Sequence, residues 1–501
     1  MNELIQLLEI LVLVLLVVPI LQIVADDRFR TIFPHIHAAL AIVLLGWLLL
    51  ILALTVFLPQ ALLPLALVSI VLLLVSAWRF RAAYGRSQGL PPGSLSPIAA
   101  IRGIADRRYF LKQAERHGPI FKFSQISSNV ICVVGLARAQ KLLRTHEEAL
   151  VPSAIPFSKQ ISGGFLRYMD DETYRVYGNV FRKAFSKSVV DVALPVTREV
   201  TRRELKNMEE ACQSVPNHAV NPEPYLKRIV YAAFVRNLFG ILPGTEFDRR
   251  LHLRFVQFEK CDLARPLDAG TRQILDGMRE ILFAQWASLQ RARDGEEAVC
   301  ALTALHAQDE KMPDLTCVDN LLFIWKIAAG NVLGLAEWAI LMLGAHPEWI
   351  ARIRNNGAMT ECGKPDILQS VILETLRLAQ SEYLYRTIDR DVEYEGFHFP
   401  KGWQLRVCVW ESHRDENIFS NPNEFNPDRF LEKNFTTAEY SPFGFSKHAC
   451  NGVPLTMMVC RTILQTLCES YEWSVMGGEP PVRGFRHWKH WHPNADFKIR
   501  L

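Results

Sequence analysis

The chain has 501 residues, of which 50% are hydrophobic, and its 56 basic and 52 acidic residues leave a formal net charge of +4. A sequence this long and apolar can bury a large core, and a nearly neutral charge balance without a long basic run excludes nucleic acid as an implied partner. The ten cysteines are scattered and form no Cys-x-x-Cys pair. This disfavours a disulfide scaffold or a zinc site and favours reduced thiols in a cytosol-facing domain.

Three apolar stretches open the sequence, at residues 4–25, 38–58 and 61–78. Roughly 20 apolar residues are needed to cross the hydrocarbon core of a bilayer, so the second stretch is long enough and the other two are candidates. A re-entrant pair for the last two stretches and a signal peptide for the first are the alternatives. Arginines just after the third stretch favour the cytosolic side for the rest of the chain. The sequence therefore predicts a membrane region over residues 1–90 and a cytosolic globular domain over residues 91–501.

The pattern of the globular part is typical of a mainly α fold with a minor β component. Helical periodicity predicts long helices over Tyr174–Phe185, Pro224–Phe239, Ala269–Arg293, Val318–Leu343 and Asp366–Leu378. Runs of β-forming residues predict short strands at Gly118–Phe123, Val130–Val134, Val392–Tyr394 and Gln404–Val409. The sequence contains neither a Walker loop nor a G-x-G-x-x-G fingerprint, so no nicotinamide or flavin domain is fused to it.

Cys450 lies late in the chain, in a loop of small residues that runs from Phe443 to Gly452 and precedes an apolar segment typical of a helix. A single thiolate presented in this way suits a haem iron, because it pushes electron density onto the metal and favours O–O cleavage. A buried structural cysteine is the more common case for an isolated residue, so the hypothesis depends on other motifs.

Two upstream motifs provide that context. Glu374 and Arg377 are three residues apart in a predicted helix and so share one of its faces. Alone such a pair is weak evidence, since most are solvated surface contacts. Downstream, the turn Phe425–Phe430 contains Arg429, which could complete a buried Glu–Arg–Arg network that fixes the loop before Cys450.

In this order and approximate spacing, the motifs resemble the cytochrome P450 family, and the resemblance runs from about residue 90 to the C-terminus. It implies an α-rich fold in which haem b lies between a long central helix and the helix after the cysteine loop. By the same resemblance Cys450 is the axial ligand of the haem iron, Phe443 contacts the haem, and Glu374, Arg377 and Arg429 form a structural triad.

The resemblance also assigns cationic partners to the haem propionates. His448, two residues before the cysteine, and Arg386 match two of them. The third, which the family takes from a Trp-x-x-x-Arg motif, is missing because Tyr174 and Gly178 stand at those positions. The same predicted helix carries two arginines that could replace it, Arg175 and Arg182.

The largest departure from the family lies in the predicted central helix, which ends at His346-Pro347. Counting back places Gly330 where the family has an acid and Asn331 where it has an alcohol, the pair that relays protons during oxygen activation. An asparagine amide donates and accepts hydrogen bonds but does not relay a proton as a carboxyl and a hydroxyl do. Packing around a bound ligand is an equally good interpretation of Gly330. Lys326, in the same helix, needs either a partner or a route to the surface.

Three hypotheses for function follow. The resemblance implies a membrane-anchored haem-thiolate monooxygenase that oxidises a lipophilic small molecule (terpenoid, sterol, polyketide or fatty-acid-like) with O2, in secondary metabolism. An O2-independent isomerase or dehydratase on the same fold is the second hypothesis, motivated by Gly330 and Asn331. A non-enzymatic haem-binding membrane protein is the third.

The first hypothesis carries expectations about partners and location. Electrons would come from a separate NADPH-dependent reductase, and Lys447, three residues before Cys450, suits docking of an acidic partner. The membrane region would contact lipid, in the endoplasmic reticulum if the chain is eukaryotic. By resemblance, Val151–Tyr168 and Gly240–Leu267 shape the substrate pocket, although core packing would give the same apolar pattern. Alternating His and Trp in Gly484–His492 favour a strand hairpin. A border on the substrate pocket, which the resemblance implies, is the second interpretation, and a metal site is the third.

Overall fold

The computed structural model of the protein describes residues 89–501 apart from residues 96, 107, 126–127, 154–160, 162–163, 170, 262–265, 292–298, 308–311, 357–364, 380–383, 446–448, 479–492 and 494–495. Several predictions fall outside the described residues: the three membrane spans, Lys447, His448 and the segment Gly484–His492.

The described residues fold mainly into helices, which confirms the predicted fold class. In chain order the helices are α1 (Pro97–Ala105), α2 (Tyr109–His117), α3 (Leu136–Thr145), α4 (Asp171–Ala184), α5 (Lys187–Asp191), α6 (Leu194–Ser214), α7 (Glu223–Phe239), α8 (Glu246–Glu259), α9 (Ala269–Arg291), α10 (Ala301–His306), α11 (Asp314–Ala345), α12 (Pro347–Asn356), α13 (Ile367–Leu378), α14 (Val409–Ser412), α15 (Asp428–Glu432) and α16 (Val453–Ser470).

Short strands form small sheets beside the helices. They are β1 (Gly93–Ser94), β2 (Ile120–Gln125), β3 (Ser128–Val133), β4 (Leu150–Pro152), β5 (Leu384–Ile388), β6 (Val392–Tyr394), β7 (Phe397–Phe399), β8 (Gln404–Val407), β9 (Ser474–Met476) and β10 (Lys498–Arg500). The main sheet has the order β1-β2-β3-β8-β5-β4, and two further pairs join β6 to β7 and β9 to β10. Strand β8 runs parallel to β3 and antiparallel to β5, where Leu405 lies opposite Arg386.

The longest helix, α11, runs through the largest hydrophobic core. It ends before Pro347, because a proline disfavours helical geometry in the residue that precedes it. Its side chains are apolar nearly all round, and Trp325 and Trp338 are among the largest fully buried ones. Among the described helices it alone is long and apolar enough to cross a membrane, but 67% of its most apolar stretch is buried inside the protein. Core packing therefore accounts for its hydrophobicity.

Polar residues of α11 attach neighbouring elements to this axis. Asp319 accepts hydrogen bonds from the Arg279 guanidinium of α9 at 2.7 and 2.6 Å. The side-chain oxygen of Asn320 accepts from the backbone N–H of Leu166 at 2.7 Å. Lys326 donates to carbonyl oxygens at the end of α8. Each of these polar side chains thus holds a different part of the chain against α11.

Helix α16, which follows the cysteine loop, is fastened to two other helices. Asp366 caps α13 by accepting from the backbone N–H of Gln369 at 2.7 Å, and its other carboxylate oxygen accepts from Arg461 of α16. The next residue back, Cys460, donates its thiol to the carbonyl of Val332 in α11 at 3.8 Å. The sulfur-bearing loop is therefore continued by a helix that contacts α11 directly.

Candidate active site around Cys450

The loop that carries Cys450 is closed by its own backbone. The N–H of Cys450 donates to the carbonyl of Phe443 at 3.0 Å. Gly444 turns the chain with a φ of +75°, a left-handed conformation that glycine adopts without strain. A Cβ on Gly452 would lie 3.6 Å from the Cys450 Sγ, so the sulfur sits close to the start of α16, where the helix dipole favours negative charge.

Cys450 differs from the other cysteines in its accessibility. It is exposed, whereas the other eight described cysteines are buried or half-buried. It lines a cavity of about 390 Å³. The residues lining that cavity are Arg182, Phe185, Ser186, Ala449, Cys450, Asn451 and Pro454. Because cysteine usually behaves as a small buried hydrophobe, an accessible thiol beside a cavity indicates a ligand rather than a packing residue.

Glu374, Arg377 and Arg429 form one buried ionic network. Arg377 donates through Nε and Nη2 to the Glu374 carboxylate at 2.7 and 2.8 Å, and the Arg429 Nε donates to the same group at 3.0 Å. Glu374 and Arg377 are fully buried, and Arg429 nearly so. Charge-assisted bidentate hydrogen bonds are strong and fix the relative orientation of the two side chains. Removal of one partner is costly, because it leaves an uncompensated charge buried.

The other donors of the two arginines fix the backbone that leads to the cysteine loop. The Arg377 Nη1 donates to the carbonyl oxygens of His413 and Pro422 at 2.9 and 2.6 Å. The Arg429 Nη1 donates to the carbonyl of Ser420 at 3.0 Å. The network therefore joins α13 to the irregular segment between α14 and α15.

His413 continues this network to the start of the cysteine loop. The backbone N–H of Ser441 donates to its Nε2 at 3.1 Å, and this nitrogen must be unprotonated because a backbone N–H only donates. Burial, followed by the positive charges of Arg414 and Arg377, lowers the pKa of His413 well below its usual range. The neutral ring thus anchors the chain two residues before Phe443.

The predicted haem contacts lie in different surroundings. Arg386 is buried in β5, and its Nη1 donates to the carbonyl of Tyr385 at 2.9 Å. Phe443 is half-buried and packs against the main core. The structure therefore brings the triad together around the approach to Cys450, while the contact that Arg386 makes with a haem propionate stays a prediction.

Helix α4 shows how the missing Trp-x-x-x-Arg motif is accommodated. A Cβ on Gly178 would come within 2.8 Å of the Tyr174 ring, so the tyrosine occupies the space that a longer side chain would need. Arg182, one turn further along, lines the cavity beside Cys450. Arg175 is exposed and is not among the residues lining that cavity. Of the two arginines, Arg182 is therefore better placed to meet a group bound beside the sulfur.

The central helix opens to space midway along its length. Asn331 is exposed, although every residue from 332 to 340 is buried, and a Cβ on Gly330 would meet no atom within 4 Å. Three apolar side chains just before this point are half-buried: Ile324, Ile327 and Ala328. Within the described part of the chain, the Asn331 carboxamide has no hydrogen-bond partner. We call residues 327–331 the α11 window.

The residues present fit a haem group. Cys450 offers the soft anionic donor that haem iron accepts as an axial ligand, and the α11 window offers the mostly apolar wall typical of cofactor and substrate sites. Arg182 at the cavity suits a porphyrin carboxylate. In the described residues no group of three or more His, Cys, Asp or Glu could hold a metal ion.

A site role for His413 could not be predicted from the sequence. In the sequence His413 is an isolated histidine that belongs to none of the motifs described above. In the structure His413 accepts a hydrogen bond from a backbone N–H. A contact of this kind produces no recognisable sequence motif. The pocket-region residues Phe255 and Phe258, in contrast, are buried in the main core.

Comparisons with known proteins agree with this architecture. A family model described as cytochrome P450 matches residues 335–494. Abscisic acid 8'-hydroxylase 2 of Arabidopsis thaliana is 22% identical over 79% of this chain and 86% of its own length. The putative cytochrome P450 120 of Synechocystis is 23% identical over 78% of this chain and 92% of its own length. A solved structure titled retinoic acid bound cyanobacterial CYP120A1 matches with a TM-score of 0.62 at 21% identity, covering 83% of this chain and 99% of that one.

Proposed function

From the premise that this chain is a cytochrome P450 monooxygenase with haem b as its cofactor, we propose that it hydroxylates a lipophilic small molecule bound against the α11 window. The observation that carries the proposal is the accessible thiol of Cys450 beside a cavity, at the start of a helix. The similarity to proteins named as hydroxylases favours an enzyme over the non-enzymatic hypothesis.

Each residue of the site has a proposed role. Cys450 holds the iron, and its loop is kept in place by Glu374, Arg377 and Arg429. Arg386 and Arg182, with His448, hold the carboxylates of the porphyrin. Haem b, when bound, supplies the activation of O2 and the transfer of one oxygen atom to the substrate.

The reaction RH + O2 + 2e⁻ + 2H⁺ → ROH + H2O needs two electrons and two protons from outside the site. We propose a separate NADPH-dependent reductase as the electron source. Gly330 and Asn331 contain no titratable group, so the protons would come from water or a substrate hydroxyl that the Asn331 carboxamide orients. Gly330 leaves the space in which that water or hydroxyl is bound.

The substrate class follows from the wall that it would contact. Ile324, Ile327 and Ala328 present apolar surface beside the window, which suits a lipophilic molecule. One similar protein is named as an abscisic acid hydroxylase and another holds retinoic acid. Both named ligands are isoprenoid in carbon skeleton, so we place terpenoids ahead of sterols, polyketides and fatty acids as the class to test first.

We also propose that residues 1–90 anchor the haem domain, residues 91–501, to a membrane with its site in the cytosol. In a eukaryotic cell this membrane would be the endoplasmic reticulum. The support is the apolar character of residues 4–25, 38–58 and 61–78. Carbonate extraction of the full chain and of a chain beginning at residue 91 would test it, since only the full chain should stay with the membrane.

The ligand assignment is tested by the absorbance of the reduced protein with bound CO. We expect the Soret position of a thiolate-ligated haem in the wild type and its loss in Cys450→Ser. Cys261→Ser is the matched control, because Cys261 is the half-buried cysteine of the described residues and lies at the end of α8. If Cys450→Ser keeps the thiolate spectrum, Cys450 is not the ligand.

A second function is favoured by one specific observation, the lack of an acid and an alcohol at Gly330 and Asn331. It is an O2-independent isomerisation or dehydration of a peroxide or another activated substrate on the same fold. Turnover of a hydroperoxide panel under argon without reductase would support it. A strict requirement for NADPH, reductase and O2 would eliminate it.

A further inference from the structure

We propose that Lys326 is a positioning residue that fastens the C-terminal end of α8 to α11 and thereby sets the size of the space at the α11 window. The inference goes beyond the proposed function, although it takes from that proposal the binding of substrate at the window. It begins from a charged residue in the middle of an apolar core helix.

The Lys326 ammonium binds backbone groups at the end of another helix. Its Nζ donates to the carbonyl of Phe258 at 2.5 Å and to the carbonyl of Glu259 at 2.9 Å. The last carbonyls of a helix have no partner within the helix and carry the negative end of its dipole. An ammonium group is the cap that these carbonyls favour, so Lys326 caps α8 from outside.

Aromatic contacts reinforce the attachment on both sides of the lysine. The Lys326 ammonium also lies 4.9 Å from the centre of the Phe258 ring. The neighbouring Trp325 stacks on Phe255 with ring centres 3.5 Å apart and an angle of 3° between the planes. Phe323 meets Phe258 edge-on at 5.5 Å. One turn of α11 therefore holds the last turn of α8 by several independent contacts.

The position of this attachment relates it to the reaction. Lys326 and Gly330 are four residues apart on α11 and so share a face, about 6 Å apart along the axis. At Lys326 that face is covered by the end of α8, and at Gly330 it is open. The end of α8 thus borders the open space, and the length of the lysine side chain fixes how near it lies.

The attachment can be tested in the haem-loaded full chain with Lys326→Met, which keeps the length and apolar stem but removes the donor. The matched control is Lys122→Met, because Lys122 is also half-buried and also donates to a backbone carbonyl, that of Pro91 at 2.7 Å, in the sheet region. In Lys326→Met, amide hydrogen exchange at the C-terminal turn of α8 should speed up by about tenfold, the ratio that loss of charged hydrogen bonds can produce. Lys122→Met should leave that turn unchanged.

A second measurement reports on the space itself. Imidazole and 4-phenylimidazole, added to the ferric protein, give affinities for a small and a large haem ligand from the absorbance shift. Lys326→Met should change the affinity ratio of the two ligands several-fold, whereas Lys122→Met should not. Exchange in Lys326→Met that matches Lys122→Met overturns the attachment, and an unchanged ligand ratio overturns its effect on the space.

Lys326→Gln keeps the test decisive if the methionine variant does not fold. Its shorter amide can donate but cannot reach both carbonyls in the same way, so α8 exchange should again rise, and wild-type exchange would overturn the proposal. The exchange measurement does not depend on the axial ligand. A protein that lacks the thiolate spectrum would therefore contradict the proposed function and leave the result for Lys326 standing.

Discussion

On the Cys450 side of the site, charges are buried and the N–H groups of Arg377 end on the Glu374 carboxylate or on the carbonyls of His413, Pro422 and Glu424. On the α11 side, Asn331 is exposed and Gly330 faces open space. In the first region, hydrogen bonds and ion pairs fix the side chains, whereas in the second the described residues leave open space. This contrast suits the proposed roles, in which the first region holds a thiolate ligand at one position and the second receives the substrate. We therefore expect mutations to separate the two regions, with stability lost on one side and chemistry altered on the other.

The largest effect is expected from Arg377→Met. It leaves the Glu374 carboxylate buried with fewer partners and removes the donors to the carbonyls before the cysteine loop, so the free energy of unfolding should fall by about 3–5 kcal/mol. Urea unfolding with haem absorbance as the signal measures it. Arg352→Met is the control, since Arg352 also forms a bidentate pair, with Asp428 at 2.9 and 2.8 Å, but at a partly exposed site. The control should cost at most about 1 kcal/mol, and equal losses would contradict the distinction between the regions.

A smaller and pH-dependent effect is expected from His413. Its pKa in the folded protein is lowered by burial and by Arg414 and Arg377, so below the usual histidine pKa the unfolded chain binds a proton that the folded chain does not. Stability should therefore be fully present above about pH 6.5 and fall by up to about 1.4 kcal/mol per unit as pH decreases towards the lowered value.

The variant that sharpens this expectation is His413→Gln, whose amide oxygen can accept from the Ser441 N–H and does not titrate. Urea unfolding at several pH values between about 7.5 and 5.5 should give a shallower slope for the variant than for the wild type. An identical slope for both proteins would show that His413 does not link the network to acid stability.

The smallest change in stability is expected at the α11 window. Asn331→Leu should alter the free energy of unfolding by no more than about 0.5 kcal/mol, because the side chain is exposed. If its carboxamide orients the proton source, product formed per NADPH consumed should nevertheless fall, by about tenfold or more. Asn331→Thr is the matched variant and should retain product formation. Unchanged product yield in Asn331→Leu would remove Asn331 from the reaction.

The regular part of this architecture could be predicted from the sequence because periodic apolar residues report burial. The prediction Val318–Leu343 lies inside α11, Asp314–Ala345, and Asp366–Leu378 differs from α13 only in that Asp366 is its cap. Helix α8 was not predicted, since its many charged residues conceal the few aromatic ones that reach α11.

The sequence predicted contacts of the candidate site only where one side chain interacts with another side chain. Glu374, Arg377 and Arg429 could be selected as a set because their motifs, in this order and spacing, resemble those of the cytochrome P450 family. The partners of Lys326 and the role of His413 could not, because the first are carbonyl oxygens of Phe258 and Glu259 and the second depends on the N–H of Ser441. Nearly every residue has such backbone groups, so their hydrogen bonds cannot be predicted from composition or from the spacing of side chains.

The contact between Cys460 and Val332 links the two regions directly, because it joins α16 to α11. Cys460 lies ten residues after Cys450, and Val332 directly follows Asn331, so the helix that continues the cysteine loop contacts α11 one residue after the α11 window. A change in the size of this buried side chain should therefore alter the spacing between α16 and α11, because well-packed cores adjust to volume changes by shifting their elements.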